Sequence, residues 1–237
     1  MRSLPDEICC LTALTDLQLT RNHIRNLPEK LGALRKLPRL NFDCNSLETL
    51  PKSLTKATTR RLNLNYNRFT TLPGWLCRME HLTQLFLNKN RLTEIPMVLA
   101  ALPSLTHLSL AHNTIAEFPK QFPLFTNLTK LWLDWNRITR IPLVFQRLTR
   151  LEELKLEGNP LRRPRMQFLV EEGVKGLSEW CAKEEEANDG KRGRATIVAF
   201  MDVLRVVHRE ALAPPDIFEA DTELTYNGYP AMYFAFV

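Results

Sequence analysis

The sequence has no long apolar run. No stretch of about 18 consecutive uncharged apolar residues occurs among its 237 residues, so the sequence predicts no membrane-spanning helix. Only 8 residues are glycine, whereas 15 are proline. Apolar residues make up 44% and charged residues 24% of the chain, which is typical of a soluble globular protein.

The cysteines and histidines are not spaced as metal ligands. The five cysteines are Cys9, Cys10, Cys44, Cys77 and Cys181. Two of them are adjacent, and no pair has the spacing of a zinc site. His107 and His112 lie close together, but a metal site needs more ligands than these two. We therefore predict surface histidines, no metal site and no cofactor.

The sequence signatures of several enzyme classes are also missing. There is no G-x-x-x-x-G-K-[ST] phosphate loop, no protein-kinase signature and no G-x-S-x-G motif. Cys181 is followed by Ala182 and Lys183, without an adjacent acid or base to activate its thiol, so we predict a buried and unreactive cysteine. These absences predict that the chain is not an enzyme.

An asparagine recurs along the chain at steps of 23 residues, with a single step of 22. Its positions are Asn22, Asn45, Asn67, Asn90, Asn113, Asn136 and Asn159. Apolar residues stand five and three positions before each asparagine and two positions after it. An apolar-proline pair recurs in the same phase, from Leu4-Pro5 to Ile141-Pro142.

One copy of the pattern, Leu128–Pro142, shows what each copy predicts. Leu131 and Leu133 alternate with other residues, as in a strand with one buried face, but the apolar residues after Asn136 no longer alternate, so the chain turns there. The asparagine amide can bond backbone groups that this turn leaves unpaired. Seven short parallel strands are predicted: Asp16–Thr20, Arg39–Asp43, Arg61–Asn65, Gln84–Asn88, His107–Ala111, Lys130–Asp134 and Glu153–Glu157.

The repeated pattern resembles the leucine-rich repeat, L-x-x-L-x-L-x-x-N-x-L, over Ser3 to Leu161. Its second half, L-P-x-x-L-x-x-L, is similar to the intracellular subgroup that includes the Ras-suppressor and Scribble-like proteins. The resemblance implies an α/β solenoid, a right-handed horseshoe with a parallel sheet on the concave side and a C-terminal helical cap. The apolar spacing of three in the second half suits a helical or 3₁₀ turn.

The predicted domains are a solenoid over residues 1–161, a capping helix over 162–187, and a linker, second helix and tail of unknown role over 188–237. The stretch from Gly158-Asn159-Pro160-Leu161 to Trp180 is similar to the end of many intracellular family members. Leu169, Gly173, Leu177 and Cys181 step by four and predict one apolar helical stripe. Gly173 would allow close approach to the last repeat, and Trp180 would anchor the cap. The charged stretch from Glu184 to Arg194 predicts a linker, and Thr196–Leu212 predicts the second helix.

Two irregularities stand out in the repeats. Ser3–Ile8 matches the second half of a repeat without its strand, which favours a piece of a longer protein over an end that pairs with a partner. In the 22-residue step, Thr59 replaces the usual leucine. We interpret this substitution as a local weak point in the core, with a bend that shapes a site as the alternative.

The outward positions of the strands predict a partner-binding site. Two aromatic residues, Phe86 and Trp132, occupy the same phase two repeats apart with Ser109 between them, and exposed aromatics favour interface contact over lateral stacking that only stabilises the sheet. The predicted site comprises Tyr66, Phe86, Asn88, His107, Trp132, Asp134 and Trp135.

The resemblance implies an intracellular scaffold or signalling regulator that binds a protein partner on the concave sheet, such as a component of a small GTPase or phosphatase pathway. The alternative is the recognition region of a larger enzyme (GTPase, kinase, cyclase or phosphatase). Residues 1–161 are basic, which could favour an acidic partner or nucleic acid, but a solvated outer face is the preferred interpretation, and no nucleic acid is predicted. No cysteine-rich end cap of the secreted relatives is visible, so the predicted location is cytoplasmic.

Overall fold

The computed structural model of the chain describes residues 1–120 and 122–189. Seven strands form a single parallel sheet in the order β1 to β7, so each strand pairs with its neighbours in sequence. The strands are β1 Leu17–Gln18, β2 Arg39–Asn41, β3 Arg61–Asn63, β4 Gln84–Phe86, β5 His107–Ser109, β6 Lys130–Trp132 and β7 Glu153–Lys155. All seven fall inside the predicted strands and are two to three residues shorter.

The register places identical repeat positions side by side. Leu40 pairs with Leu62, Leu62 with Leu85, and Leu108 with Leu131. These leucines are buried, and the residues on either side of each are exposed or half-buried, except Ser109, which is buried. A two-residue period along each strand therefore separates a leucine core from an open sheet face. The predicted α/β solenoid with a concave parallel sheet is confirmed.

The second half of each repeat returns the chain through a short 3₁₀ helix, as predicted. These helices span Asp6–Cys10, Leu31–Ala33, Lys52–Lys56, Gly74–Arg78, Met97–Ala101, Phe122–Leu124 and Leu143–Arg147. In five of them a proline directly precedes the first residue in an extended conformation. Proline is tolerated there because its missing N–H would have no partner within the helix.

The asparagine row forms the predicted hydrogen-bond ladder. The Asn113 side chain donates to the carbonyl of Leu110 in its own repeat at 2.9 Å and to that of Leu87 in the preceding repeat at 3.0 Å. Its amide oxygen accepts the N–H of Leu92 at 3.0 Å. The same three kinds of contact recur at Asn45, Asn67, Asn90, Asn136 and Asn159. Each asparagine thus satisfies backbone groups of two repeats.

The short repeat keeps the sheet register. Leu40 still faces Leu62, so the missing residue is absorbed in the return segment before β3. Thr59 is fully buried, and its hydroxyl donates to the Leu37 carbonyl at 3.0 Å. The buried hydroxyl is therefore paired rather than left unsatisfied in the core.

The N-terminal half repeat packs in register with the first full repeat. Ser3 forms a parallel bridge with Asn26, and the N–H of His23 donates to the Met1 carbonyl at 2.9 Å. Leu4 and Cys9 lie in the core. This segment therefore continues the solenoid without a strand of its own.

One long helix, α1 (Met166–Asp189), follows the repeats and packs against the 3₁₀ helix Leu143–Arg147 and against β7. Leu177 and Cys181 are buried, and Trp180 and Leu169 pack half-buried against the same core. The helix therefore covers the open end of the last repeat, as the cap prediction requires.

Two details of that prediction are wrong. Gly173 has φ 62° and ψ −158°, which breaks α1, so the apolar residues before and after it do not form one continuous stripe. A Cβ on Gly173 would meet no atom within 4 Å, so this glycine provides a left-handed backbone rather than close approach. The helix also continues to Asp189, two residues past the predicted cap boundary at 187, and includes Glu184–Glu186 of the charged stretch predicted to be a linker, because Glu and Ala are strong helix formers.

The predictions for residues 190–237 lie outside the described residues. Within the described part of the chain, no helix combines the length and apolarity that crossing a bilayer requires.

Candidate functional site: the concave face and its turn row

The aromatic pair, Phe86 and Trp132, lies at the centre of the concave face. Strands β4 and β6 carry these rings toward the open side, where both are half-buried with centroids 6.4 Å apart and planes tilted by 48°. Ser109 on β5 lies between them and is almost fully buried. The two rings are closer than two strand spacings, so they lean together over Ser109 and account for its burial.

Charged groups surround Trp132 and fix its orientation. Its indole N–H donates to a Glu153 carboxylate oxygen at 3.0 Å, and the ammonium of Lys155 lies 4.9 Å from the ring centroid. Glu153 also pairs with Lys130 and Lys155, each at 3.2 Å. Burial raises the pKa of the Glu153 carboxyl, but the hydrogen bonds from Lys130, Lys155 and Trp132 outweigh burial and hold the pKa below its usual value.

On the other side of the pair, the guanidinium of Arg61 lies 4.8 Å from the Phe86 ring centroid. Both rings therefore carry a cation on one side and keep an exposed edge on the other. Cation–π contact of this kind orders a long side chain without covering the whole ring.

His107 lies on β5, two residues before Ser109. Its Nδ1 and the Thr106 hydroxyl are 2.8 Å apart. Burial, reinforced by the nearby Lys130 ammonium, lowers the pKa of the His107 imidazole. The ring is therefore held toward its neutral form, in which it can both donate and accept a hydrogen bond.

Asn88 and Asp134 form a second row of polar contacts that joins neighbouring repeats. The Asn88 amide oxygen accepts the N–H of Ala111 at 2.7 Å and also the hydroxyl of Ser109. An Asp134 carboxylate oxygen accepts the N–H of Glu157 at 3.0 Å. Burial raises the pKa of the Asp134 carboxyl. Both side chains thus support the sheet through one oxygen, a role that the sequence analysis did not assign to them.

The residue before each ladder asparagine forms the turn row. Its members are Arg21, Cys44, Tyr66, Lys89, His112 and Trp135, and each has φ between 52° and 55°. The backbone N–H of each donates to a carbonyl of the following repeat, as from Trp135 to Glu157 at 2.7 Å. This left-handed turn is costly for a non-glycine residue, and the repeated hydrogen bond holds it in place.

Four members of the turn row form two stacked pairs along the edge of the concave face. The ammonium of Lys89 lies 4.6 Å from the Tyr66 ring centroid, and the His112 and Trp135 rings are parallel with centroids 5.7 Å apart. Tyr66 is 48% and Trp135 56% exposed. The row therefore presents aromatic surface to solvent in a fixed orientation.

Gly158 occupies the turn-row position of the last repeat and lies beneath Trp135. Its φ is +70°, and a Cβ there would stand 2.7 Å from Cδ2 of Trp135. Only glycine lets the indole lie against this backbone, so Gly158 helps to position Trp135.

The structure thus divides the seven predicted site residues into two groups. Phe86 and Trp132 meet over Ser109, with His107 on the same strand as Ser109, whereas Tyr66 and Trp135 lie on the turn row. Asn88 and Asp134 connect the two groups. Four further residues belong to the surface but were not included in the prediction: Arg61, Lys89, His112 and Lys155. The phase of the residue before each asparagine was a usable signal for Lys89 and His112.

A cavity of about 900 Å³ lies between β7 and the first part of α1. Leu154, Leu156, Leu169 and Val170 give it an apolar wall, and Trp135 stands at its border. It adjoins the turn row rather than the aromatic pair.

The described residues contain no group of three or more His, Cys, Asp or Glu side chains that could hold a metal ion. Cys181 is buried, as predicted, and burial raises the pKa of its thiol to about 11. A thiol with so high a pKa carries almost no thiolate near neutral pH, and thiolate is the nucleophilic form.

Comparison with known proteins agrees with this geometry. The family model described as leucine rich repeat matches residues 35–92, 57–115 and 103–161, which together span more than half of the chain. A comparison with the curated proteins finds no match.

Two solved structures illustrate the likeness. An internalin from Listeria monocytogenes is 25% identical with a TM-score of 0.58, over 74% of this chain and 49% of that one. A leucine-rich repeat protein from Leptospira interrogans is 23% identical with a TM-score of 0.47, over 74% of this chain and 57% of that one. This chain therefore spans about half the length of both. Domains of this fold generally mediate protein–protein interaction and are typically non-catalytic.

Proposed function

Because the chain belongs to the leucine-rich repeat family, we propose that it is a non-catalytic interaction module that binds a protein partner on its concave sheet. The proposed contact surface comprises the seven predicted residues, with Phe86 and Trp132 at its centre and Tyr66 and Trp135 at its edge. The partner-binding role assigns no chemistry to these side chains beyond packing, hydrogen bonding and charge.

The observation that carries the proposal is the aromatic pair. Phe86 and Trp132 keep exposed surface on strands four and six of seven, and the described core does not need them, since it is complete on the other face of the sheet. Large aromatic rings exposed at the centre of a surface are typical of interface hot spots, because they bury a large area at little cost in conformational entropy.

The surroundings of the pair favour a protein partner over a small apolar ligand. Phe86 and Trp132 are both partly exposed and Ser109 between them is buried, so the pair presents a surface, whereas pockets for small molecules enclose most of the ligand surface. The border of this surface holds Lys130, Glu153 and Lys155, of both charge signs, and His107. An apolar centre with a polar border is the usual arrangement of a protein interface.

The cellular role is the finer part of the proposal. We propose an intracellular, cytoplasmic scaffold or signalling regulator whose partner belongs to a small GTPase or phosphatase pathway. The support is the resemblance of the L-P-x-x-L-x-x-L half repeats to the Ras-suppressor and Scribble-like subgroup. The five cysteines are free thiols, which is compatible with a reducing compartment.

The experiment compares proteins captured from an extract of the source cells by the full chain and by Trp132→Ala. The variant should fold normally, because the ring points away from the leucine core, and should weaken partner binding by about 2 kcal/mol or more, the usual hot-spot threshold. Circular dichroism checks the fold. Trp132→Phe should retain part of the binding, since it keeps a ring but loses the hydrogen bond to Glu153.

Leu11→Ala is the control, because Leu11 is a 55% exposed apolar residue of the N-terminal half repeat, away from the aromatic pair. Its captured proteins should match those of the unaltered chain. An unchanged capture by Trp132→Ala would exclude the aromatic pair as the site. Unfolding of that variant would show instead that Trp132 belongs to the core.

A further inference from the structure

Three arginines gather at the start of strands β2 and β3. Arg39 is the first residue of β2, Arg61 is the first residue of β3, and Arg60 immediately precedes β3. All three are exposed, and they line one open cavity of about 640 Å³ at this edge of the concave face. We call them the arginine cluster.

The register brings like charges together in this cluster. Arg39 and Arg61 are direct partners across neighbouring strands, and like charges placed directly opposite in a sheet are destabilising. The same row has the opposite arrangement at its other end, where Lys130 faces Glu153 and the two form an ion pair at 3.2 Å. At the same repeat position, charges are therefore neutralised between β6 and β7, whereas positive charge is concentrated between β2 and β3.

No carboxylate neutralises the arginine cluster within the described part of the chain. Lys130 and Lys155 pair with Glu153, on β7, and none of the three clustered arginines is found in an ion pair among the described residues. Asp16 is the one acidic residue in the cavity lining, and one of its oxygens accepts the Gln18 side-chain amide at 3.0 Å. Three arginines against one aspartate give the residues that line the cavity a net charge of +2.

We infer that the arginine cluster binds a phosphoryl group carried by a phosphorylated segment of the protein partner. Guanidinium groups bind phosphate oxygens through paired, charge-assisted hydrogen bonds, and a cluster of them suits a doubly charged group better than a single carboxylate. The inference rests on the proposed function, because it assumes that the partner lies along the concave face.

A single phosphorylated side chain fits the surface better than a nucleic acid. A nucleic-acid backbone presents a phosphate at every nucleotide and requires a positively charged track. Here Asp16 lies in the cavity lining beside the cluster, and Glu153 lies on β7 at the far end of the sheet, so a continuous row of phosphates would meet negative charge at both places.

The cluster is also connected to the aromatic pair. The guanidinium of Arg61 lies over Phe86, and Trp132 is three strands away from Arg61, or about 14 Å at the usual strand spacing. An extended peptide covers that distance in about four residues. The partner segment should therefore carry its phosphorylated residue about four positions from an aromatic or aliphatic anchor.

The test uses the full chain and fluorescein-labelled octapeptides of glycine and serine with phenylalanine at the seventh position. The third position is serine, phosphoserine or glutamate. In fluorescence anisotropy at low salt, the phosphoserine octapeptide should bind about tenfold or more tightly than the serine octapeptide. In the double variant Arg39→Gln/Arg60→Gln, the ratio of the affinities for the phosphoserine and serine octapeptides should fall to near one. Arg61 is left unaltered because it contacts Phe86.

Arg137→Gln/Arg140→Gln is the matched control, since it removes two exposed arginines beyond the turn of the sixth repeat and should keep the ratio. A ratio near one in the unaltered chain, or a ratio that survives Arg39→Gln/Arg60→Gln, would overturn the inference. Equal binding of the glutamate octapeptide would overturn the phosphoryl assignment. Equal affinity for inorganic phosphate would identify a free-anion site, and tighter binding of a ten-residue oligouridylate would identify a nucleic-acid site; either result overturns the inference.

Trp132→Ala separates this inference from the proposed function. It should weaken the serine and phosphoserine octapeptides by the same factor and leave their ratio unchanged. If Trp132→Ala changes the affinity of neither peptide but the unaltered chain still prefers phosphoserine, the proposed aromatic site is wrong and the arginine inference is supported. If Trp132→Ala weakens both peptides but the unaltered chain does not prefer phosphoserine, the aromatic site is supported and the arginine inference is wrong.

Discussion

The asparagine row and the turn row are adjacent in every repeat, yet they differ in almost every respect. The ladder asparagines are buried or half-buried in all seven repeats, and from Asn45 to Asn159 their side chains bond backbone groups of two repeats. The turn row has the same left-handed backbone throughout, but its side chains run from Arg21 and Cys44 through Tyr66 to Trp135. The asparagine row has the same side chain in every repeat, whereas the turn row has only the same backbone conformation.

The difference shows which part of a repeat is free to vary. An asparagine in the ladder has three fixed partners, so any other side chain leaves buried groups unpaired. A turn-row side chain points to solvent, and the backbone hydrogen bond that holds its turn is independent of side-chain type. Variation along the turn row and the concave face can therefore serve recognition without disturbing the solenoid.

The largest expected effect is the difference in stability between two alanine substitutions of adjacent residues, one in the asparagine row and one in the turn row. Asn90→Ala should lower the free energy of unfolding by about 3 kcal/mol or more, because the carbonyls of Leu64 and Leu87 and the N–H of Phe69 lose their partner, at about 1–3 kcal/mol for each buried group. Urea denaturation measures the loss. Lys89→Ala, one residue earlier, should cost about 1 kcal/mol or less, the range of an exposed cation–π contact. Equal losses would remove the distinction between the rows.

A smaller effect is expected where the turn row ends. Gly158→Ala should cost about 1–2 kcal/mol, the usual penalty of a left-handed alanine, and should displace Trp135, since the new Cβ would stand 2.7 Å from the indole. The indole fluorescence spectrum should shift with the change in surroundings. Gly74→Ala is the control, because a Cβ there meets no atom within 4 Å and its φ is not left-handed. An unaltered spectrum in Gly158→Ala would show that this glycine does not position Trp135.

The smallest effect is a pH dependence on the concave face. The pKa of Glu153 lies below its usual 4.5 in the folded chain, so its ion pairs stabilise the fold above pH 4.5, and this contribution is lost as pH falls through the folded value. Glu153→Gln should therefore show a smaller decrease in melting temperature between pH 7 and pH 3.5 than the unaltered chain. Glu152→Gln, at an exposed neighbouring residue, is the control, and its melting temperature should decrease by as much as that of the unaltered chain. Identical pH profiles for all three would mean that the Glu153 ion pairs add nothing to stability.

Regular features of the fold were predictable from spacing alone. The seven strands, their parallel order and the asparagine ladder follow from one period, because an identical residue at an identical phase has the same neighbours in each repeat. The break of α1 was not predictable in this way. Gly173 fits a four-residue apolar step, and only its backbone angles show that the helix changes direction there.

The candidate site was predictable only in part, because the sequence pattern gives the face of the sheet on which each side chain lies. Phe86 and Trp132 were identifiable as outward residues of strands, and the structure places them around Ser109. Asn88 has the same outward phase, but its amide oxygen is bound to Ala111 and Ser109 of the next repeat. A strand pattern gives the face on which a side chain lies, but it does not give the partner that the side chain finds across the sheet.

The sequence by itself determined the repeat, the strand register and the two faces of the sheet, because these depend on the periodic placement of apolar and asparagine residues. Only the tertiary structure decided which exposed side chains meet. Stacking of His112 on Trp135 and of the Arg61 cation over Phe86 both arise between residues more than 20 positions apart. The physical reason is that parallel strands bring such residues within about 5 Å of one another.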